Sequence, residues 1–133
     1  MRYTKNMKLK FLGAAGTVTG SSYILTSGSG QSILIDFGLF LGPRDIDTLN
    51  YQPYEYDCSQ LTGAVLTHAH LDHCGRLPIL LPQGYRGDIL MTPATQELTQ
   101  VSQTVQCTYP GGSGTRQSIW IPGIYKYPKT RSN

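Results

Sequence analysis

Thr67-His68-Ala69-His70-Leu71-Asp72-His73-Cys74-Gly75 is the stretch on which the reading of this chain turns. It holds all three histidines of the sequence within six residues, spaced His-x-His-x-Asp-His. Imidazole nitrogens and a carboxylate suit zinc, iron or manganese. Ligands this close in sequence can be held by one loop at little cost in ordering entropy. His68 and His70 are two apart, so an extended backbone points both the same way. Asp72 and His73 follow round a turn and face a neighbouring position. The spacing therefore predicts His68 and His70 as ligands of one metal ion and Asp72 and His73 as ligands of a second, a few ångströms away. Chance clustering of ordinary histidines is the competing reading, and the embedded aspartate weighs against it.

The surroundings predict an α/β arrangement. Ala64-Val65-Leu66-Thr67 is a short apolar run that reads as a buried strand, and α/β folds place ligand sites at the C-terminal ends of such strands. Lys8-Leu9-Lys10-Phe11-Leu12 alternates as a first strand. Ser22–Thr26 and Ser32–Ile35 read as two more, joined by a hairpin at Ser27-Gly28-Ser29-Gly30. Asp88–Met91 is a further strand, and Asp45–Asn50 and Asp57–Leu61 are short helical turns. A helix is predicted over Arg76–Gln83, with Pro78 in its first turn. Thr92-Pro93 is a helix-start signal for Ala94 to about Gln103. Arg76 and Arg86 read as solvated surface rather than phosphate contacts. Tyr51, Tyr54 and Tyr56 read as cover for a core edge, with base stacking as the alternative. Gly13–Gly20 is glycine-rich but lacks both a Gly-Lys-Ser/Thr P-loop and a G-x-G-x-x-G pattern, so it reads as a tight connection.

Composition narrows the class. At 133 residues the chain is one small domain or part of one, and 39 % hydrophobic residues with 15 Gly and 8 Pro make it loop-rich. A net charge of +3 is too small to argue a nucleic-acid partner by itself. Cys58, Cys74 and Cys107 are widely spaced, without a C-x-x-C pair, which argues against a disulfide framework and for a reducing, cytoplasmic setting. No apolar run reaches membrane-spanning length, and Met1–Lys10 lacks the apolar core of a signal peptide.

The metal stretch resembles the motif of the metallo-β-lactamase superfamily. Further segments resemble its beta-CASP branch of RNA-processing nucleases: Phe11–Ser22, Ile33–Phe40, Leu66–Pro78, Tyr85-Arg86-Gly87 and Thr92-Pro93-Ala94-Thr95. The resemblance covers about Lys8 to Leu98. It implies the N-terminal half of an αββα sandwich, incomplete in this chain. It divides the chain into an extension over residues 1–7, a partial domain over 8–104 and a tail over 105–133. It implies two Zn²⁺ ions in a complete domain, held here by His68, His70, Asp72 and His73, with Asp72 also acting in catalysis. Asp36 becomes an aspartate that holds the ligand loop in place, against the plainer reading of a turn cap. Gly16, Thr17 and Thr19 would lie in a loop that meets substrate. The implied activity is hydrolysis of RNA phosphodiesters in the full-length form. Alternatives are a thioester or lactone hydrolase of the same fold, or a catalytically inactive fragment. Oligomeric state is left open.

The tail departs from that pattern. All eight acidic residues lie at or before Glu97. The resemblance calls for Asp-Ser-Ala-His-Ile-Gln-Glu-Glu-Ala after the last predicted helix, and residues 105–133 contain no histidine and no acid. One set of codons for Cys107–Ser113 is TGC ACA TAT CCA GGA GGA AGC. Read one base later, the same bases give Ala-His-Ile-Gln-Glu-Glu-Ala. The expectation is a chain out of frame from near Val101–Val105, against a low-complexity tail disordered by composition. Resequencing the source DNA from the Thr92 codon onward checks this. One inserted or deleted base should restore the missing segment, and an intact frame refutes the expectation.

Overall fold

A computed structural model describes residues 6–106 and 125–126. Its framework is one mixed sheet of six strands in the order β1-β2-β3-β4-β5-β6. The strands are β1 (Lys8–Phe11), β2 (Ser22–Thr26), β3 (Ser32–Phe37), β4 (Gly63–Val65), β5 (Ile89–Leu90) and β6 (Tyr125–Lys126). The first three form an antiparallel meander, and β3 to β6 run parallel. The hairpin at Ser27–Gly30 closes through Gly30 N–H donating to Ser27 O at 2.9 Å. The helices are α1 (Arg44–Asp47), α2 (Leu71–Cys74) and α3 (Pro93–Gln106).

Strand alternation decides which residues meet the core. Ile24, Leu34, Ala64 and Ile89 share one face and are buried, each at most 3 % exposed. The β3–β4 and β4–β5 connections cover that face with Cys58, Leu61, Leu77, Leu80 and Tyr85, all in the same buried cluster. Tyr54 and Tyr56 pack against its edge, as a covering role requires, whereas Tyr51 is 66 % exposed. The opposite face is also apolar: register aligns Leu9, Leu25 and Ile33 on it, and Phe11, Tyr23, Ile35, Val65 and Leu90 beside them. Leu9 and Phe11 are 51 % and 56 % exposed there. A parallel sheet apolar on both faces belongs between two layers. This is the α/β architecture expected, with one of those layers present among the described residues.

Two local expectations are corrected. The helix predicted over Arg76–Gln83 is instead α2, placed earlier, followed by a single 3-10 turn at Leu77–Ile79. Two causes act together. Pro78 has no N–H to give the carbonyl of Cys74, so α2 cannot continue through it, and Pro78 takes the first turn of the 3-10 segment instead. Arg76 N–H is also drawn away, donating to Phe37 O at 2.8 Å. Arg76 is not solvated surface but 4 % exposed, its Nε donating to Gly38 O at 2.5 Å. Arg86, by contrast, is surface, its Nη1 donating to the carbonyls of Leu81 and Tyr85. At α3 the expected cap is present, with Thr92 Oγ1 accepting from Thr95 N–H at 3.2 Å, and the helix runs to Gln106 rather than Gln103. Apart from Gln106 and the β6 pair, the tail beyond residue 105 lies outside the described residues, as do residues 1–5 of the extension.

The Tyr85-Arg86-Gly87 segment has a packing cause. The Tyr85 ring is 1 % exposed and its hydroxyl donates to Asp88 O at 2.5 Å. A Cβ on residue 87 would lie 2.7 Å from that hydroxyl, so only glycine lets the ring fold back. Burial, aided by the Asp88 charge, pushes the phenol from 10.0 up to about 12. The folded state thus keeps the proton where the unfolded chain loses it. The associated stability is fully present below about pH 10 and is lost as pH rises through about 12. Chemical denaturation at stepped pH should show stability falling across that window, and Tyr85→Phe should fall less. Parallel curves for the two proteins would refute the assignment.

Candidate metal centre

The ligand stretch begins where β4 ends. Leu66 N–H still donates to Leu90 O at 2.9 Å, after which the chain leaves the sheet through Thr67 and His68. α2 then carries Asp72 and His73 round a single turn, so the sequence-predicted pairs sit on an extended arm and a helical one. Three imidazoles come together: the His68 ring centroid is 4.6 Å from that of His70 and 3.9 Å from that of His73. Asp72 Oδ2 is 3.6 Å from His73 Nε2. Burial and then the neighbouring His73 and His70 push the His68 pKa down, opposed by the charges of Asp36 and Asp72. Protonating His68 is therefore unfavourable, which keeps it in the neutral form that binds metals.

Asp36 lies beneath the cluster at the end of β3, 3 % exposed. Its Oδ1 accepts from Thr67 N–H at 2.8 Å, and its Oδ2 accepts from Thr67 Oγ1 and from His73 Nδ1, both at 2.8 Å. A carboxylate only accepts, so His73 carries its proton on Nδ1 and leaves the Nε2 lone pair facing outward. The same logic extends one step. Thr67 Oγ1 spends its proton on Asp36, so at 3.0 Å it accepts from His68 Nδ1, and His68 Nε2 is also left free. One carboxylate thus sets the tautomers of two rings.

The donor chemistry therefore fits a zinc-type ion: imidazoles, two of them with Nδ1 engaged, beside a carboxylate. The geometry is less complete. Among the described residues, no three His, Cys, Asp or Glu side chains have donor atoms gathered closely enough to hold a metal ion. Gly16, Thr17 and Thr19 lie in the loop before β2. Thr17 Oγ1 donates to Thr19 O at 3.0 Å, and Thr19 Oγ1 exchanges hydrogen bonds with the backbone of Leu41 at 2.8 Å. Gly16, at φ +86°, has open space where a side chain would be. None of the three has a hydrogen bond to the four candidate ligands.

Residues that sequence reasoning missed join the loop to its seat. Ser21 N–H donates to Asp72 O at 2.8 Å, and Ser21 Oγ is 3.4 Å from His73 Nε2. Leu39 N–H donates to Leu71 O at 2.9 Å. Gly38 lies flat against the loop: a Cβ there would be 1.6 Å from Asp72 O and 2.6 Å from His73 N. Thr67 and Gly38 flank the readable motifs, yet their partners are 31 and more residues away, beyond any local pattern.

A protein-family model, the metallo-beta-lactamase superfamily, matches residues 15–84. A ribonuclease of Thermus thermophilus is 42 % identical over 95 residues, a match covering 71 % of this chain and 21 % of that protein. Cleavage and polyadenylation specificity factor 73 of Drosophila melanogaster is 33 % identical over 93 residues, covering 69 % of this chain and 13 % of that one. The chain thus spans about a fifth or less of the length of these relatives. Among solved structures, a metallo-beta-lactamase fold protein from Bacillus subtilis aligns with 92 % of this chain and 46 % of its own, at 19 % identity and a TM-score of 0.48.

Gly38→Ala should displace the ligand loop, because the added methyl meets backbone and not a side-chain tip that could move. A loss of about 1–3 kcal/mol, as for overpacked sites, is expected by urea denaturation. Stability unchanged from the parent would show that the loop is not seated on Gly38.

Proposed function

The chain belongs to the metallo-beta-lactamase superfamily, and from that membership we propose that it is part of a metal-dependent hydrolase of the beta-CASP type, acting on RNA phosphodiesters in its full-length form. The observation that carries the metal assignment is the Asp36 carboxylate holding Thr67 and His73 at 2.8 Å, with Thr67 Oγ1 in turn 3.0 Å from His68 Nδ1. His68 and His70 hold one ion, and Asp72 and His73 a second. Zinc bound there supplies Lewis-acid activation of water and of a phosphoryl oxygen. The chain's own residues do the rest. Asp36 aims His73, Thr67 aims His68, and Asp72 is placed to accept the proton of the attacking water. The loop with Gly16, Thr17 and Thr19 faces substrate in this reading. RNA as the substrate draws support from the ribonuclease similarity. No helix among the described residues is long and apolar enough to cross a membrane. Cys58 and Cys74 are both buried, 6 % and 0 % exposed, and a reducing, cytoplasmic setting is part of this reading.

A second reading has its own observation. No three of these side chains converge among the described residues, which favours a weak, open metal site in this chain by itself, and this reading goes with a chain out of frame from near Val101–Val105.

Zinc content and affinity test the first reading on the chain itself. The parent should retain zinc after dialysis, and His73→Ala should retain less. Asp36→Asn keeps the shape but should weaken binding about 10- to 100-fold. Zinc lost equally from parent and variants would remove the metal assignment and leave the inactive-fragment reading. For the full-length form, cleavage of RNA in preference to thioesters and lactones separates the nuclease from other hydrolases of this fold.

A further inference from the structure

Arg76 is a charged side chain in the wrong place for the role so far described. It is 4 % exposed, and among the described residues its titratable neighbour is the Tyr54 phenol rather than a carboxylate. Its Nε is spent on Gly38 O, and its guanidinium carbon sits 4.5 Å from the Phe37 ring centre and 4.8 Å from that of Phe40. Its Nη2 is buried without a hydrogen-bond partner. A buried, unpaired guanidinium donor costs several kcal/mol unless something accepts from it. Burial accordingly depresses its pKa.

The same guanidinium lines a cavity of about 470 Å³ between the covered sheet face and the β3–β4 connection. The walls are Phe37, Phe40, Leu49, Tyr54 and Leu80, with other apolar side chains of the sheet. The one acid on the rim, Glu55, is engaged by Lys10 at 3.2 Å. The cavity opens to solvent past Gln52, Pro53 and Glu55, so a small molecule can enter it. A void of this size is within the range of small-molecule sites, which combine apolar walls with a few placed polar groups. An arginine fork beside aromatic faces matches a planar carboxylate bidentately.

We propose that this cavity is a binding site for a small aromatic or otherwise apolar carboxylate, its acid group meeting Arg76 Nη2 and its body filling the space between Phe37, Phe40, Leu49 and Leu80. The site is separate from the metal loop and does not rest on the nuclease reading.

The test uses the full chain in EDTA, so that no bound metal can capture the acid. 2-Naphthoate is titrated and followed by fluorescence and by thermal shift, with 2-naphthylmethanol as the neutral partner. Naphthoate should bind at least about tenfold more tightly than the alcohol and should raise the melting temperature. Leu49→Trp fills the cavity while leaving Arg76 in place and should abolish binding, whereas Arg76→Gln should bring the acid down to the level of the alcohol. The proposal is overturned if naphthoate does not bind, if acid and alcohol bind equally, or if binding survives Leu49→Trp. Should either variant fail to fold, the two probes on the parent chain still decide.

Discussion

The Asp36 carboxylate is the interaction on which the rest of the site depends. It is buried and accepts three hydrogen bonds, from two atoms of Thr67 and one of His73, each at 2.8 Å. To reach them, its backbone takes φ +57°, the left-handed region that a non-glycine residue enters at a cost of about 1–3 kcal/mol. That cost is offset because the same carboxylate joins the ends of two parallel strands. β3 delivers it, β4 delivers Thr67, and the turn beyond delivers His73. Without it, the strand that carries His68 and the short helix that carries His73 would have no common reference.

The backbone completes what the carboxylate begins. A free helix at residues 71–76 would keep its carbonyls and N–H groups for itself. Here Leu71 O accepts Leu39 N–H besides its own Gly75 N–H, Asp72 O takes Ser21 N–H, and Arg76 N–H goes to Phe37 O. Each of the long-range bonds couples the turn to the end of β3 or to the residue before β2. Gly38 makes the approach possible by presenting no Cβ to Asp72 O. Asp36, Phe37 and Gly38 therefore act as one seat: the first holds side chains, the second a backbone amide, and the third leaves room.

What could be read from the sequence was local. The His-x-His-x-Asp-His spacing is local, and its three rings lie side by side, that of His68 4.6 Å from His70 and 3.9 Å from His73. Strand positions followed from alternation, and the Thr92-Pro93 helix start followed from its cap. Pro78 does sit in a first turn, as expected, but of a 3-10 turn only three residues long, and the earlier helical turn over residues 71–74 had no signature of its own. The burial of Arg76 escaped for the same reason. A charged residue in a polar-looking segment reads as surface unless its partners, here Gly38 O and two phenylalanine rings, are known. Ser21 and Thr67 were missed because a hydroxyl gains its meaning from atoms far along the chain.

β1 gives this half-covered sheet a direction in which it can associate. Among the described residues the strand has one neighbour, and Lys8 and Lys10, the latter paired with Glu55, stand along its outer edge. Lysines on an edge strand discourage another strand from adding there, because pairing would bring ammonium groups together and strip their water. The open face beside that edge carries no such guard, since Leu9, Phe11 and Leu90 are all exposed on it. Crowded copies of this chain would therefore meet flat, sheet against sheet, rather than growing strand by strand into a fibril.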